Sequence, residues 1–388
     1  MIQQKKKNGE QTVAHHVRSV FRSYFTKASR AGSVFLLQKW KSGFNIVSMK
    51  KTCKLIFITV AVAAGLLSSA CKKNPSGIAT DSKMYFGTAI QPGDLLDDNK
   101  AKLLTENFNA LVPENTMKMV NIRPTKTLWN FSDMDKMVEF AQKNKMKMRG
   151  HTFIWHQQNS TIVNQIKSRE DAFALIEENI NKIMTRYKGK IADYDVANEI
   201  FNDDGTFRKS LWYKWCGTDL YEEAFRMAKK ADPDAKLFLN DYSHEEAGTP
   251  KAEAFYNFVK SMVEKGVPID GVGFQTHLCT DYGLNEEALR KNIRRFADLG
   301  LEVQFTEIDI RMKTPAAEAD VAKQKEMYET LMRVLKTEPN VSTYMTWGYT
   351  DATSWVPATF HGYGDAHLFD KDLKSKPVFG SLVEMMKK

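Results

Sequence analysis

Asp195-Val196-Ala197-Asn198-Glu199 and Val303-Gln304-Phe305-Thr306-Glu307-Ile308-Asp309 are two short apolar runs that each break into a carboxylate. Short runs of apolar and β-branched residues read as strands, so each places an acid at a strand end. One such strand says little, because salt-bridging glutamates often terminate strands. Two from distant parts of the chain form a pattern with chemical meaning. Strand ends that face one cleft bring two carboxylates together for general acid–base and nucleophilic work.

Outward from these runs, the same grammar repeats. Strand-like stretches fall at 84–90, 108–114, 146–155, 191–199, 236–241, 271–278, 301–310 and 343–350. Helix-period segments lie between them, among them 132–144, 169–187, 221–231, 252–265, 285–299 and 317–335, with start signals at Ser132 and Thr249-Pro250. Strands alternating with helices predict an α/β fold, and eight units predict a parallel (β/α)8 TIM barrel. Residues 83–388 then form one catalytic domain with no spare length for another. In such barrels the chemistry sits at the C-terminal ends of the strands. The runs end in Glu114-Asn115, His151 with Trp155-His156, Asn198-Glu199, Asn240-Asp241-Tyr242, Gln275 with His277, Glu307 with Asp309, and Trp347. Polar and aromatic residues therefore gather on one rim.

The net charge of +9 suggests a polyanion partner until it is divided along the chain. Residues 1–48 hold nine Lys/Arg against Glu10 alone, and residues 49–74 add five lysines and no acid. Removing those +8 and +5 leaves −4 on residues 75–388, which excludes a nucleic-acid reading of the folded part. Met49-Lys50-Lys51 followed by the apolar stretch 55–67 and Ser68-Ser69-Ala70-Cys71 has the layout of a secretory signal. A membrane helix needs about 20 residues, more than this stretch offers. Such signals begin a chain, so Met49 is expected to be the true start and residues 1–48 a mis-called extension. Residues 49–71 are the expected signal, and the polar segment 72–82 a tether. Cys71 stands where a bacterial lipoprotein signal is lipidated, although Ser68 departs from that pattern. Export as an envelope lipoprotein and plain secretion both stay open.

Of four cysteines only Cys216 and Cys279 lie in the body, either as buried free thiols or as a pair. No Cys or His spacing matches a metal site, so neither metal nor cofactor is expected. No pattern speaks for oligomerisation, and a monomer is expected.

The motifs Glu114-Asn115-Thr116-Met117-Lys118, Arg149-Gly150-His151-Thr152, Trp155-His156, Asp195 to Glu199, Asn240-Asp241-Tyr242, Gly273-Phe274-Gln275-Thr276-His277, Thr306-Glu307-Ile308-Asp309 and Trp347-Gly348-Tyr349-Thr350-Asp351 with Trp355 resemble glycoside hydrolase family 10, the endo-β-1,4-xylanases. Each is weak alone; in this order and at these strands they are specific. The resemblance covers about residues 84–379.

It implies a retaining double displacement on xylan or xylo-oligosaccharides, with Glu199 as acid/base and Glu307 as nucleophile. Two carboxylates in one site resist ionising together, so one holds a proton while the other stays charged. A retaining pair sits about 5–5.5 Å apart, against about 6.5–9.5 Å for an inverting one, and the short spacing is expected. The resemblance gives His277 the task of holding Glu307 while Asp309 orients its ring. Gln275, two residues away, is expected on the same strand face. It also implies that Asn198 bonds the 2-hydroxyl of the attacked sugar. Glu114, Asn115 and Lys118 would bind the next sugar, and His151 and Trp155 would line the cleavage subsite. Trp347 and Trp355 would stack on pyranose rings, and Tyr242 would serve the leaving-group side.

The chain departs from the family at Met119 (usually Trp), Ser243 (commonly Asn) and Ala197 (more often Val), which bears on side-subsite affinity. His361 and His367 receive no role. Two other readings compete: a retaining glucanase or mannanase on the same barrel, and a non-catalytic glycan-binding barrel on a cell surface. The second would be expected to lack one of the carboxylates, and both are present.

Overall fold

The computed structural model describes residues 84–387, so the expected extension, signal, Cys71 and tether lie outside the described residues. Strands β1 (Tyr85–Ile90), β2 (Ala110–Pro113), β3 (Lys147–Ile154), β4 (Asp193–Asn198), β5 (Lys236–Asp241) and β6 (Gly271–Phe274) pair in parallel, each with the next. After β7 (His277–Cys279), β6 pairs with β8 (Glu302–Lys313), β8 with β9 (Val341–Thr346), and β9 returns to β1. The sheet is thus a closed eight-stranded parallel barrel. Closure leaves no free edge, which is why a fully parallel sheet is stable here.

Eight helices follow the barrel strands in turn, at Asp98–Asn107, Ser132–Lys143, Arg169–Tyr187, Asp219–Ala231, Pro250–Glu264, Glu286–Asp298, Glu318–Thr337 and Pro377–Lys387. Thr249 caps its helix as its sequence suggests, its side chain accepting from Ala252 N with Pro250 in the first turn. Ser132 does not: the cap position is Phe131, and Ser132 is already helical. The helix at Asp98–Asn107 buries only Leu103 and Leu104, too thin a stripe for periodicity to reveal.

Between sheet and helices lies a continuous apolar layer that includes Phe86, Leu111, Met148, Val272 and Phe305. The barrel interior is divided. Ala89, Ala110, Val112, Met345 and Trp347 make one apolar flank, while Arg149, Asp195 and Gln304 form a buried polar one. Arg149 binds Asp195 through Nε at 3.0 Å and through a second N–H, and it also reaches Gln304. Burial alone would raise the Asp195 carboxyl, but Arg149 and His151 outweigh it and hold it below its usual range.

Two strand expectations need correction. The run 271–278 is not one strand: it breaks between β6 and β7 at Gln275-Thr276, where Thr276 takes φ 60°. Gln275 and His277 therefore do not share a strand face by alternation. The last barrel strand also stops at Thr346, and Gly348 at φ 108° turns the chain so that Trp347 and Trp355 belong to the rim. Cys216 and Cys279 are free and buried.

Candidate active site

The strand ends surround a cleft of about 610 Å³. Its walls include Glu114, Asn115, Lys118, His151, Trp155, Asn198, Glu199, Tyr242, Gln275, His277, Glu307, Trp347 and Trp355. Asp309 lies directly behind this wall, fully buried. The rim residues chosen from the sequence are thus brought into one place.

Glu307 stands in the middle of β8, which runs well beyond the barrel rim, and is 4% exposed. Its Oε1 accepts from Asn240 Nδ2 at 2.7 Å and lies 4.0 Å from His151 Nδ1, and its Oε2 lies 3.3 Å from His277 Nε2. The other ring nitrogen of His277 donates to Asp309 Oδ2 at 2.8 Å, and the same oxygen accepts from Trp355 Nε1 at 2.8 Å. Burial disfavours charge on this imidazole, yet Asp309 and Glu307 more than reverse that and push its pKa up to about 10. His277 is therefore a cation at neutral pH, with both N–H groups directed at carboxylates.

Glu199 sits in different company. It follows β4 in the left-handed region at φ 53°, a conformation costly to a residue with a Cβ. Its backbone is fixed from both sides: its N–H donates to Asn240 O at 2.9 Å, and its carbonyl accepts from Arg208 Nε at 3.0 Å. Its Oε1 takes N–H groups from Asn198 and Gln275, each at 3.2 Å. The Nδ1 of His156 lies 3.6 Å from Glu199 Oε2. Burial pulls the His156 imidazole below its ordinary value despite the opposing effect of Glu199, which disfavours its cationic form. One glutamate faces a histidine whose charge its surroundings favour, the other a histidine whose charge they disfavour.

An amide mesh joins the two. Asn240 Nδ2 also donates to Asn198 Oδ1 at 2.9 Å, and Gln275 Nε2 reaches the same oxygen at 3.1 Å. Thr306 Oγ1 donates to Asn240 Oδ1 at 2.7 Å, which fixes which way the amide points. Gly273 makes room for this clamp, since a Cβ there would stand 2.0 Å from Asn240 Oδ1.

On one side of the pair, Lys118 Nζ sits 4.5 Å from the Trp155 ring centroid and 5.5 Å from that of Trp347, and donates to Asn115 Oδ1 at 3.1 Å. Burial lowers its pKa, with the three cleft glutamates opposing. Asn115 in turn donates to Glu114 at 3.1 Å. On the other side, the Tyr242 ring lies over the buried Lys251 at 3.3 Å, and its hydroxyl accepts from Arg208 at 3.0 Å. Lys251 pairs with Asp241 at 2.9 Å, and burial raises the Asp241 carboxyl to about 7 even so.

Several of these residues carry no sequence signal for a site. Arg208 lies on an irregular loop, and Lys251 reads as an ordinary first-turn helix residue. Asn240 and Asp195 stood in the quoted motifs without a role. His367 is buried against Ser354 Oγ at 2.9 Å and supports the turn after β9; His361 is exposed. Of the departures, Met119 is buried and Ser243 lines the cleft. Among the described residues no group of three or more His, Cys, Asp or Glu side chains could hold a metal ion.

Residues 76–385 match the family model described as glycosyl hydrolase family 10. Endo-1,4-beta-xylanase B of Thermotoga neapolitana is 40% identical over 72% of this chain and 81% of its own length. The endo-1,4-beta-xylanase of Agaricus bisporus is 33% identical over 85% of this chain and 99% of its own. The crystal structure of xylanase 10B from Thermotoga petrophila in complex with xylobiose superposes with a TM-score of 0.77 at 37% identity, covering 82% of this chain and 99% of that one.

Proposed function

The chain belongs to glycosyl hydrolase family 10, and from that premise we propose how its cleft hydrolyses internal β-1,4-xylosidic bonds of xylan. Glu307 attacks the anomeric carbon while Glu199 gives its proton to the departing glycosidic oxygen. The sugar is left as an ester of Glu307. Esterification removes the charge on Glu307, so Glu199 takes a proton from the incoming water. The water oxygen bonds to the anomeric carbon, and Glu307 leaves as a carboxylate with retained sugar configuration.

The observation that carries this assignment is the unequal pair of histidines. His277 directs one N–H at Glu307 and the other at Asp309, which holds the Glu307 carboxylate in place for attack. His156, 3.6 Å from Glu199, has its charge disfavoured by burial, so no fixed cation is set against the acid/base. Asp309 keeps His277 aimed, and Asn198 is positioned to bond the 2-hydroxyl as charge develops. Trp347 and Trp355 provide stacking surface, with Glu114, Asn115 and Lys118 on one side of the scissile bond and Tyr242 on the other.

The leader belongs to the same reading: the protein is exported, either tethered to the envelope through a lipid on Cys71 or secreted, and acts as a monomer. The signal-like layout of residues 49–71 supports this. Incorporation of radiolabelled palmitate by the parent and not by Cys71→Ser would distinguish the tethered form.

The test of the activity is product analysis of the full chain on arabinoxylan, with carboxymethylcellulose and mannan alongside, for the parent and Glu307→Ala. Xylo-oligosaccharides from the parent alone are expected. Equal products from the variant would remove Glu307 from the mechanism, and preference for either other polymer would replace the substrate.

A further inference from the structure

We infer that the Arg311 guanidinium at the upper wall of the cleft binds the carboxylate of an acidic branch on the xylan chain. Glu307, Asp309 and Arg311 alternate along β8 and so face one side. At about 3.3 Å per residue Arg311 stands roughly 13 Å along the strand from Glu307. It therefore stands on the cleft wall well away from the point of bond cleavage. It lines the cleft together with Thr359 and Phe360.

Its charge is unanswered by the protein. The guanidinium lies 3.9 Å from the Phe360 ring centroid, and one N–H donates to Leu278 O at 3.3 Å. Among the described residues no carboxylate pairs with it. Its neighbour Lys313, two residues on, is 3.3 Å from Asp281, whose carboxylate also accepts from Tyr363 Oη at 2.7 Å. The other guanidinium on the cleft, Arg208, is tied to the site's own framework, donating through Nε to the Glu199 carbonyl and through Nη2 to the Phe201 carbonyl and the Tyr242 hydroxyl. Arg311 makes a single hydrogen bond to the protein and keeps most of its five donors for a ligand. A guanidinium stacked on a ring presents a planar, fixed fork, the geometry that binds a carboxylate through two parallel N–H bonds. A chain of neutral xylose gives such a cation no counter-charge; a uronic-acid branch does.

The inference rests on the xylan reading above, and its test separates the two. The full chain and its Arg311→Gln and Arg311→Lys variants are assayed for kcat/KM on a uronic-acid-substituted xylan. The comparison substrate is the same polymer with its carboxyl groups reduced to alcohols. On the acidic polymer Arg311→Gln is expected to lose about ten-fold and Arg311→Lys less, with added salt narrowing the gap. On the reduced polymer both variants are expected to stay within about three-fold of the parent, which also shows that they fold. Equal losses of Arg311→Gln on both polymers, or none on the acidic one, would overturn the proposal and leave the xylan reading standing. Failure of the parent on both polymers would overturn both.

Discussion

The two ends of the barrel treat charge in opposite ways. At the floor, where the strands begin, a cavity of about 850 Å³ exceeds the cleft in volume and is lined by Lys147, Asp193, Lys236 and Glu302. There acids meet bases directly. Lys147 lies 2.6 Å from Asp193, Lys236 is bonded to Glu302, and Gln304 bridges Asp193 and Glu302 at 2.9 and 2.7 Å. At the rim, the carboxylates of Glu199 and Glu307 have no lysine or arginine partner among the described residues; asparagine, glutamine and histidine surround them instead. A lysine in direct contact with a carboxylate ties both charges into the fold, whereas amides and histidine rings orient a carboxylate that still faces the cleft. The larger hollow is therefore structural and the smaller one chemical.

The comparison breaks first, and hardest, at Glu307. Glu307→Gln is expected to lower kcat on xylo-oligosaccharides by about 10⁴-fold or more, with a melting temperature no lower than the parent's. A large fall in melting temperature would instead make this glutamate a floor-type residue. Glu199→Gln should cost about 10²–10⁴-fold, the range of a proton-transferring group, and the loss should shrink on substrates with a good leaving group. An equal loss whatever the leaving group would deny Glu199 its role as acid.

His277 sharpens the contrast through pH. Its folded-state pKa is raised from 6.5 to about 10. Its contribution to stability is thus fully present below pH 6.5 and is lost as pH rises through about 10. Melting temperature recorded from pH 6 to 11 should fall at the alkaline end in the parent, and this component should be missing in His277→Gln. Identical curves would mean that the ring is not charged in the native state. The smallest effect on turnover belongs to the floor. Lys147→Met leaves the buried Asp193 without its cation and should destabilise by roughly 3 kcal/mol, measured by chemical denaturation, while kcat moves less than two-fold.

The barrel and the cleft walls were legible because each depends on local pattern. Strand 236–241 and helix 169–187 were bounded by their apolar periods alone, and the carboxylates by the strands that end in them. The supporting contacts were not legible, because they join residues far apart in sequence. Nothing near Asn240 announces that it clamps both Asn198 and Glu307. Nothing near Lys251 announces that it will be buried beneath Tyr242. The break at Thr276 escaped because its residues are strand formers, and the left-handed turn there is imposed by the surroundings, including the Thr276 N–H bond to buried Glu245 at 2.8 Å.

The backbone of Glu199 has a consequence for how this protein would evolve in the laboratory. A non-glycine residue in the left-handed region carries a conformational cost of about 1–2 kcal/mol, and φ 53° sets Glu199 there. Glycine at this position would relieve that cost and abolish turnover. A library screened only for survival of heating would therefore enrich for dead enzyme at this codon. Selection for heat resistance has to be paired with selection for sugar release in every round.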